Sequence, residues 1–216
     1  MTSAPTQYSP AEELANALTH GLGLALSLVA APLLVIASAR HDWLLVMGMS
    51  IFGASMIAVY TTSTLYHAIP HATAKQKLRV ADHVAIYFLI AGTYTPFTLG
   101  VLRGAWGWTM FGLMWTLALT GVAFKLTLGM RYPRSSTAFY VGMGWVAIVA
   151  IKPMLATIPS AGLWWILAGG LCYTLGVPFY MMKRTRYTHA VWHVFVLAGS
   201  ACHFWSVLHY AAKAQA

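Results

Sequence analysis

Negative charge is almost missing from this 216-residue chain: Glu12, Glu13, Asp42 and Asp82 are its only acidic residues. Charged residues of both signs reach only 8%, too few to cover the surface of a water-soluble globule. Cysteine is scarce as well. Cys172 and Cys202 both fall in apolar segments, where a thiol behaves as a small hydrophobe, so a disulfide framework is not expected. A basic leader region is also lacking, because the first seventeen residues are polar and carry Glu12 and Glu13. A cleavable signal peptide is therefore not expected, and the first helix should stay as an anchor.

What is present is apolar. Hydrophobic residues make up 59% of the chain and mean hydropathy is +0.68, so lipid must be the solvent for most of it. Thirteen Lys and Arg give a net charge of +9, which raises the possibility of a nucleic-acid partner. Position argues against it: the basic residues sit in short loops between apolar runs, where lipid phosphates and the insertion machinery are the natural partners.

Spanning a bilayer takes roughly 20 apolar residues in helical form. Seven such runs emerge, at about 18–39, 44–66, 80–101, 107–127, 138–157, 162–182 and 188–210, with boundaries good to ~2–4 residues. The fifth is the weakest, because Lys152-Pro153 should snorkel, kink or end it. With the N-terminus inside, nine basic residues lie on the cytoplasmic side (Lys75, Lys77, Arg79, Lys125, Arg131, Arg134, Lys183, Arg184, Arg186) and four outside (Arg40, Arg103, Lys152, Lys213). The expected architecture is all-α: a seven-helix transmembrane domain over 18–210, between a cytoplasmic N-terminal segment (1–17) and a short tail (211–216). No linker suggests a second domain, and no strong internal repeat appears.

Ionisable groups at membrane depth are costly, which makes each a candidate functional residue. His189 and His193 are spaced i, i+4, so both imidazoles share one helix face about a turn apart, the spacing for two ligands on one metal. Two histidines capping loop or headgroup contacts would look the same. Ser63 and His67 have that spacing near the end of the second run, and Asp82 opens the third. The topology puts His67, Asp82, His189 and His193 in one layer near the cytoplasmic surface. A helix N-terminal acid paired with Arg79 accounts for Asp82 alone, not for its companions.

Three imidazoles with an open fourth position form the ligand set of a catalytic zinc, and a nearby carboxylate can orient water and accept its proton. His67, His189 and His193 are thus candidate ligands, Asp82 a water-holding group and general base, and Ser63 a supporting or oxyanion partner. Zinc is preferred because no thiolate is available at this level, although imidazole also suits iron, copper and nickel. His203 lies about 15 Å along the axis from His193, too far for the same ion. His83 should point about 100° away from Asp82 around its helix, toward loop or headgroup, and His41, His71 and His209 read as interface residues. Glu13, Asn16 and His20 form a polar stripe that could supply outer-shell contacts, a proton path or an interfacial cap; the cap is the simplest account. Trp106, Trp108, Trp164 and Trp165 mark the interface belt.

These motifs resemble the hemolysin III family, the bacterial branch of the progestin and adipoQ receptor family, which also includes adiponectin receptors. The resemblance covers nearly the whole chain. It is carried by Pro10-x-Glu12-Glu13-x-x-Asn16-x-x-Thr19-His20, Ser63-x-x-x-His67, Arg79-x-x-Asp82-His83 with Ala91-Gly92-Thr93-Tyr94-Thr95-Pro96-Phe97, and His189-x-x-x-His193. It implies a seven-helix protein of the bacterial inner membrane with a cytoplasmic N-terminus. It also implies a zinc ion held by His67, His189 and His193, with Asp82 linked through water. Similar alkaline ceramidases suggest zinc-dependent hydrolysis of a lipid amide. Ceramide is uncommon in bacteria, so the implied substrate is another acyl-lipid amide or ester, reached from a lipid-filled cavity. A non-enzymatic membrane-homeostasis regulator or receptor with a structural metal is the alternative. A channel or cytolysin ranks last, because helices four to six offer few ionisable groups for a polar path and nothing resembles a pore-forming hairpin.

Overall fold

The first helix starts well before the first apolar run. Ser9 caps the first helix: its hydroxyl accepts from the Glu12 amide at 3.3 Å while the Glu12 carboxylate accepts from the Ser9 amide at 3.0 Å, with Pro10 in the first turn. This reciprocal cap sets the start of α1 (Pro10–Ser38) eight residues before the expected 18. The computed structural model describes residues 8–128 and 131–212, and every regular element among them is helical. After α1 come α2 (Trp43–Ala68), α3 (Ala72–Leu99), α4 (Ala105–Leu128), α5 (Pro133–Gly144), a 3₁₀ turn (Val146–Ala150), α6 (Ile151–Thr157), α7 (Ser160–Met181) and α8 (Thr188–Tyr210). Lys213, counted on the outer side, lies outside the described residues.

Six stretches are long and apolar enough to cross a membrane: α1, α2, α4, Pro133–Thr157, α7 and α8. The expected third run falls on α3, which is not among them. Asp82, His83, Thr93, Thr95 and Thr98 lower its hydropathy, and all five are buried. α3 packs against α2, α4, α5 and α8, so its polar groups face protein rather than lipid and need no apolar exterior. Close approach between helices relies on small residues: a Cβ on Gly53 would stand 2.7 Å from the Ala31 Cβ.

The fifth run is broken, though not where Lys152-Pro153 suggested. The helix stops at Gly144, and Pro153 falls in the first turn of α6, where its missing N–H costs no helical bond. Tyr94 of α3 repairs the break, since its hydroxyl donates toward the Gly144 carbonyl at 2.7 Å, with the Met143 carbonyl at 3.1 Å, and accepts from the Ala147 amide at 3.0 Å. Backbone groups freed inside lipid need such a partner. At the end of the bundle away from His67, Asp42 caps α2 through the Leu44 amide and holds Arg103 by two bonds of 2.7 and 2.9 Å, tying the α1–α2 and α3–α4 loops together.

Candidate metal centre

His67 ends α2, while His189 and His193 occupy the first two turns of α8. Antiparallel chain directions bring these ends of α2 and α8 to one end of the bundle. The ring centroids lie 4.5 Å (His189–His193), 5.1 Å (His67–His189) and 5.2 Å (His67–His193) apart. One ring nitrogen from each lies within 4.8 Å of the others, close enough to hold a metal ion. His67 and His193 are 3% and 1% exposed, so neither ring can be explained as an interfacial cap.

The surroundings choose the ligand atoms. His67 Nδ1 meets the Glu13 carboxylate at 2.6 Å, leaving a buried Nε2 with no hydrogen-bond partner among the described residues. His193 Nδ1 meets the Thr19 hydroxyl at 3.0 Å and the Asn16 carbonyl at 3.2 Å, which again turns Nε2 to the cluster. A carboxylate or carbonyl on one imidazole nitrogen fixes the tautomer and orients the other for a metal. The orphaned His67 Nε2 is a group that burial penalises unless something binds it, and an imidazole donor set fits zinc and its neighbours.

The polar stripe on α1 thus does more than cap. Glu13 grips His67 and, through its other oxygen, Lys75 at 2.9 Å. Asn16 supplies the carbonyl already described, and His20 stacks on His193 with centroids 3.5 Å apart. The motif before the first apolar run contains Thr19 but assigns it no role, and Tyr8 has no place in it. Thr19 sits one residue off the stripe, and Tyr8, stacked on His189 at 5.1 Å, lies before the helix altogether. Burial raises the Tyr8 phenol, with Tyr66 and Tyr180 adding to the effect, so it stays neutral.

Asp82 and Ser63 adjoin the centre without joining the ligand cluster. Both line the same cavity as His189 and His193, and the Ser63 hydroxyl neighbours the Asp82 carboxyl. His83 departs from its expected place at the headgroups: it is 7% exposed, its Nδ1 bonds the Arg79 carbonyl at 2.8 Å and its Nε2 meets the Tyr180 hydroxyl at 3.2 Å. The rotation around α3 turns it into the bundle toward α7, not outward. Lys125, expected in the cytoplasmic fringe, is fully buried and donates to the Ser136 hydroxyl at 2.8 Å. His203 stays apart from the cluster and stacks on Tyr173.

The cavity holds about 500 Å³ and runs from the histidines to the far end of the bundle, past Leu89, Phe97 and Met110. That volume is in the range of small-molecule sites. Its walls come mainly from α3, α5, α6, α7 and α8, with a few residues of α1, α2 and α4, and are overwhelmingly apolar. Several wall residues also face outward: Ile148, Ile151 and Leu155 on one side, Trp164 and Leu167 on the other.

Fold and centre together define a helical membrane protein with a buried three-histidine candidate metal site at the polar end of an apolar cavity. The chain matches the haemolysin-III-related family over residues 8–204. It is 46% identical over 204 residues to the hemolysin-3 homolog of Bacillus subtilis (strain 168), covering 94% of this chain and 95% of that protein. It is 44% identical over 200 residues to hemolysin-3 of Bacillus cereus (92% and 91% covered), and 29% identical over 218 residues to the human monocyte to macrophage differentiation factor (95% and 86%). The chain belongs to the haemolysin III family, as its motifs led us to expect.

Proposed function

We propose that this protein is a zinc-dependent hydrolase of an acyl-lipid amide or ester, crossing the bacterial inner membrane seven times with its N-terminus in the cytoplasm. The observation that carries the reading is three convergent imidazoles at the polar end of a cavity whose remaining walls suit an acyl chain. α3 makes the seventh crossing, its polar face buried among its neighbours, and the nine-to-four distribution of basic residues supports the orientation.

His67, His189 and His193 would hold the ion, whose contribution is Lewis acidity that polarises a carbonyl oxygen and acidifies water. Glu13, Thr19 and the Asn16 carbonyl keep His67 and His193 in the tautomer that presents Nε2. Asp82 accepts the proton of the attacking water and returns it to the leaving group, and Ser63 donates to developing negative charge. The apolar walls hold the chain and keep bulk water from the reacting carbonyl.

Purified protein supplied with a panel of acyl amides and esters should release free fatty acid, and Asp82→Asn should abolish release while metal content stays unchanged. No turnover across the panel would defeat the reading. A second reading is favoured by the way Glu13, Thr19 and Asn16 bind α1 to the cluster: a metal-braced regulator or receptor without catalysis. Metal removal would then lower the melting temperature in a protein that turns over nothing.

A further inference from the structure

Two cations at the polar end of the cavity make no ion pair among the described residues, although the charge of Arg79 reaches Asp82 on the same wall. Arg79 of α3 and Lys183, just beyond α7, both line that end, together with Tyr8, Tyr66, Asp82 and Tyr180. Glu13 is committed to His67 and Lys75, Glu12 to the cap of α1 and Asp42 to Arg103 at the opposite end. That leaves Asp82 as the sole carboxylate on the cavity wall, and it makes no ion pair with either cation among the described residues. Among the described residues the Arg79 guanidinium donates no hydrogen bond, and the Lys183 ammonium lies over the face of Tyr180, 3.8 Å from the ring centroid. The two feel each other: partial burial, and then the charge of Arg79, push Lys183 down to about 8. Lys183 is exposed and Arg79 half-buried, and like charges at one end of a cavity oppose each other until an anion comes between them.

The position of these cations gives the anion its chemistry. They line the cavity together with the histidines His189 and His193, while most of the remaining wall is apolar. A molecule that satisfies both needs a hydrocarbon chain and, at its head, a compact anion with several acceptor oxygens. Arg79 offers a planar fork suited to two of those oxygens, and Lys183 a point charge. Tyr8 and Tyr66 line the same end, and burial keeps the Tyr8 phenol neutral and able to donate; the Tyr180 hydroxyl is already engaged with His83. We propose that Arg79 and Lys183 form a headgroup site that selects acyl lipids bearing a phosphate or carboxylate next to the reacting carbonyl. The proposal rests on the hydrolase reading for the use of this selection, and on the cavity alone for the binding.

Binding is measured on purified full-length protein in nanodiscs of neutral lipid, titrated with oleate, oleoyl lysophosphatidate and uncharged oleyl alcohol. Oleate and the lysophosphatidate should bind roughly ten- to hundredfold more tightly than the alcohol, the span expected of charge-assisted hydrogen bonds. Which of the two binds better tells a carboxylate head from a phosphate. Arg79→Gln and Lys183→Gln should each remove most of that preference without changing affinity for the alcohol, and Arg79→Lys should restore part of it, which separates lost charge from lost folding. Equal affinity for charged and uncharged chains, or a preference that survives both Gln substitutions, overturns the proposal. Fatty-acid release measured on the same protein with oleoyl lysophosphatidate and the uncharged ester monooleoylglycerol keeps the two claims apart. Selective binding without turnover rejects the hydrolase and leaves the headgroup site, whereas turnover indifferent to headgroup charge does the reverse.

Discussion

The two walls of this bundle are built differently. On one side α1, α2 and α8 meet through a dense set of polar contacts at the histidines, where Glu13, Asn16, Thr19 and His20 all serve residues on other helices. On the other side α5, α6 and α7 present apolar surface both to the cavity and outward, and Gly142 and Gly144 have no neighbour that a Cβ would meet. Polar bonds in lipid are directional, so the first wall is fixed in register. Dispersion between apolar chains is not directional, so apart from the bonds of Tyr94 and the Trp145–Thr174 pair the second wall can yield to a guest. A rigid centre beside a yielding wall is what a site for a flexible acyl chain requires.

The largest way to break this contrast is at the centre. His67→Ala should leave the purified protein essentially without metal by elemental analysis, whereas His203→Ala, on the same helix as two ligands, should retain it. Glu13→Gln should be intermediate, lowering metal affinity roughly ten- to hundredfold in chelator competition, because it disturbs orientation and not the donor atom. Metal binding by His67→Ala equal to wild type would dissolve the distinction between the walls.

Next in size is the joint at the fifth crossing. Tyr94→Phe removes the hydroxyl that serves Gly144 and Ala147, and the orphaned backbone should cost about 1–3 kcal/mol in thermal or denaturant unfolding. Metal content should not change, since Tyr94 belongs to the yielding side; a variant that lost metal as well would show the two walls to be coupled.

The smallest effect lies at the loops. Slight burial pulls the Asp42 carboxyl upward, but the Arg103 guanidinium and the Leu44 amide outweigh it and hold the group below its ordinary range. With a lowered folded-state value, the stability it adds is present above the unfolded pKa of about 3.9 and is lost as pH falls through the folded one. The pair is well exposed, so the contribution should stay within about 0.2–1 kcal/mol. Melting temperatures between neutral pH and pH 3 should therefore fall slightly more for wild type than for Asp42→Asn, and parallel curves would remove the pair from the account.

Much of the site was legible beforehand for particular reasons. His189 and His193 share a face by helical spacing alone, and His67 could be placed at their depth because loop charges give the direction of each crossing. The role of α1 was harder to see. Glu13, Asn16 and His20 read most simply as a cap, because a stripe on one helix does not say which helix it faces. His83 was misplaced for a similar reason: its angle from Asp82 was right, but what lies at that angle is Tyr180 of α7, far away in the chain.

Composition and spacing by themselves determined the solvent, the helical class, the approximate crossings and the residues able to ligate a metal, because each depends on hydropathy and on period within a single segment. Only the tertiary structure decided that α3 may be polar, that Tyr94 mends a broken helix, and that Glu13 and Thr19 choose which nitrogen His67 and His193 turn inward. Those outcomes depend on which helices become neighbours. Packing between distant segments settles that, and no local pattern encodes it.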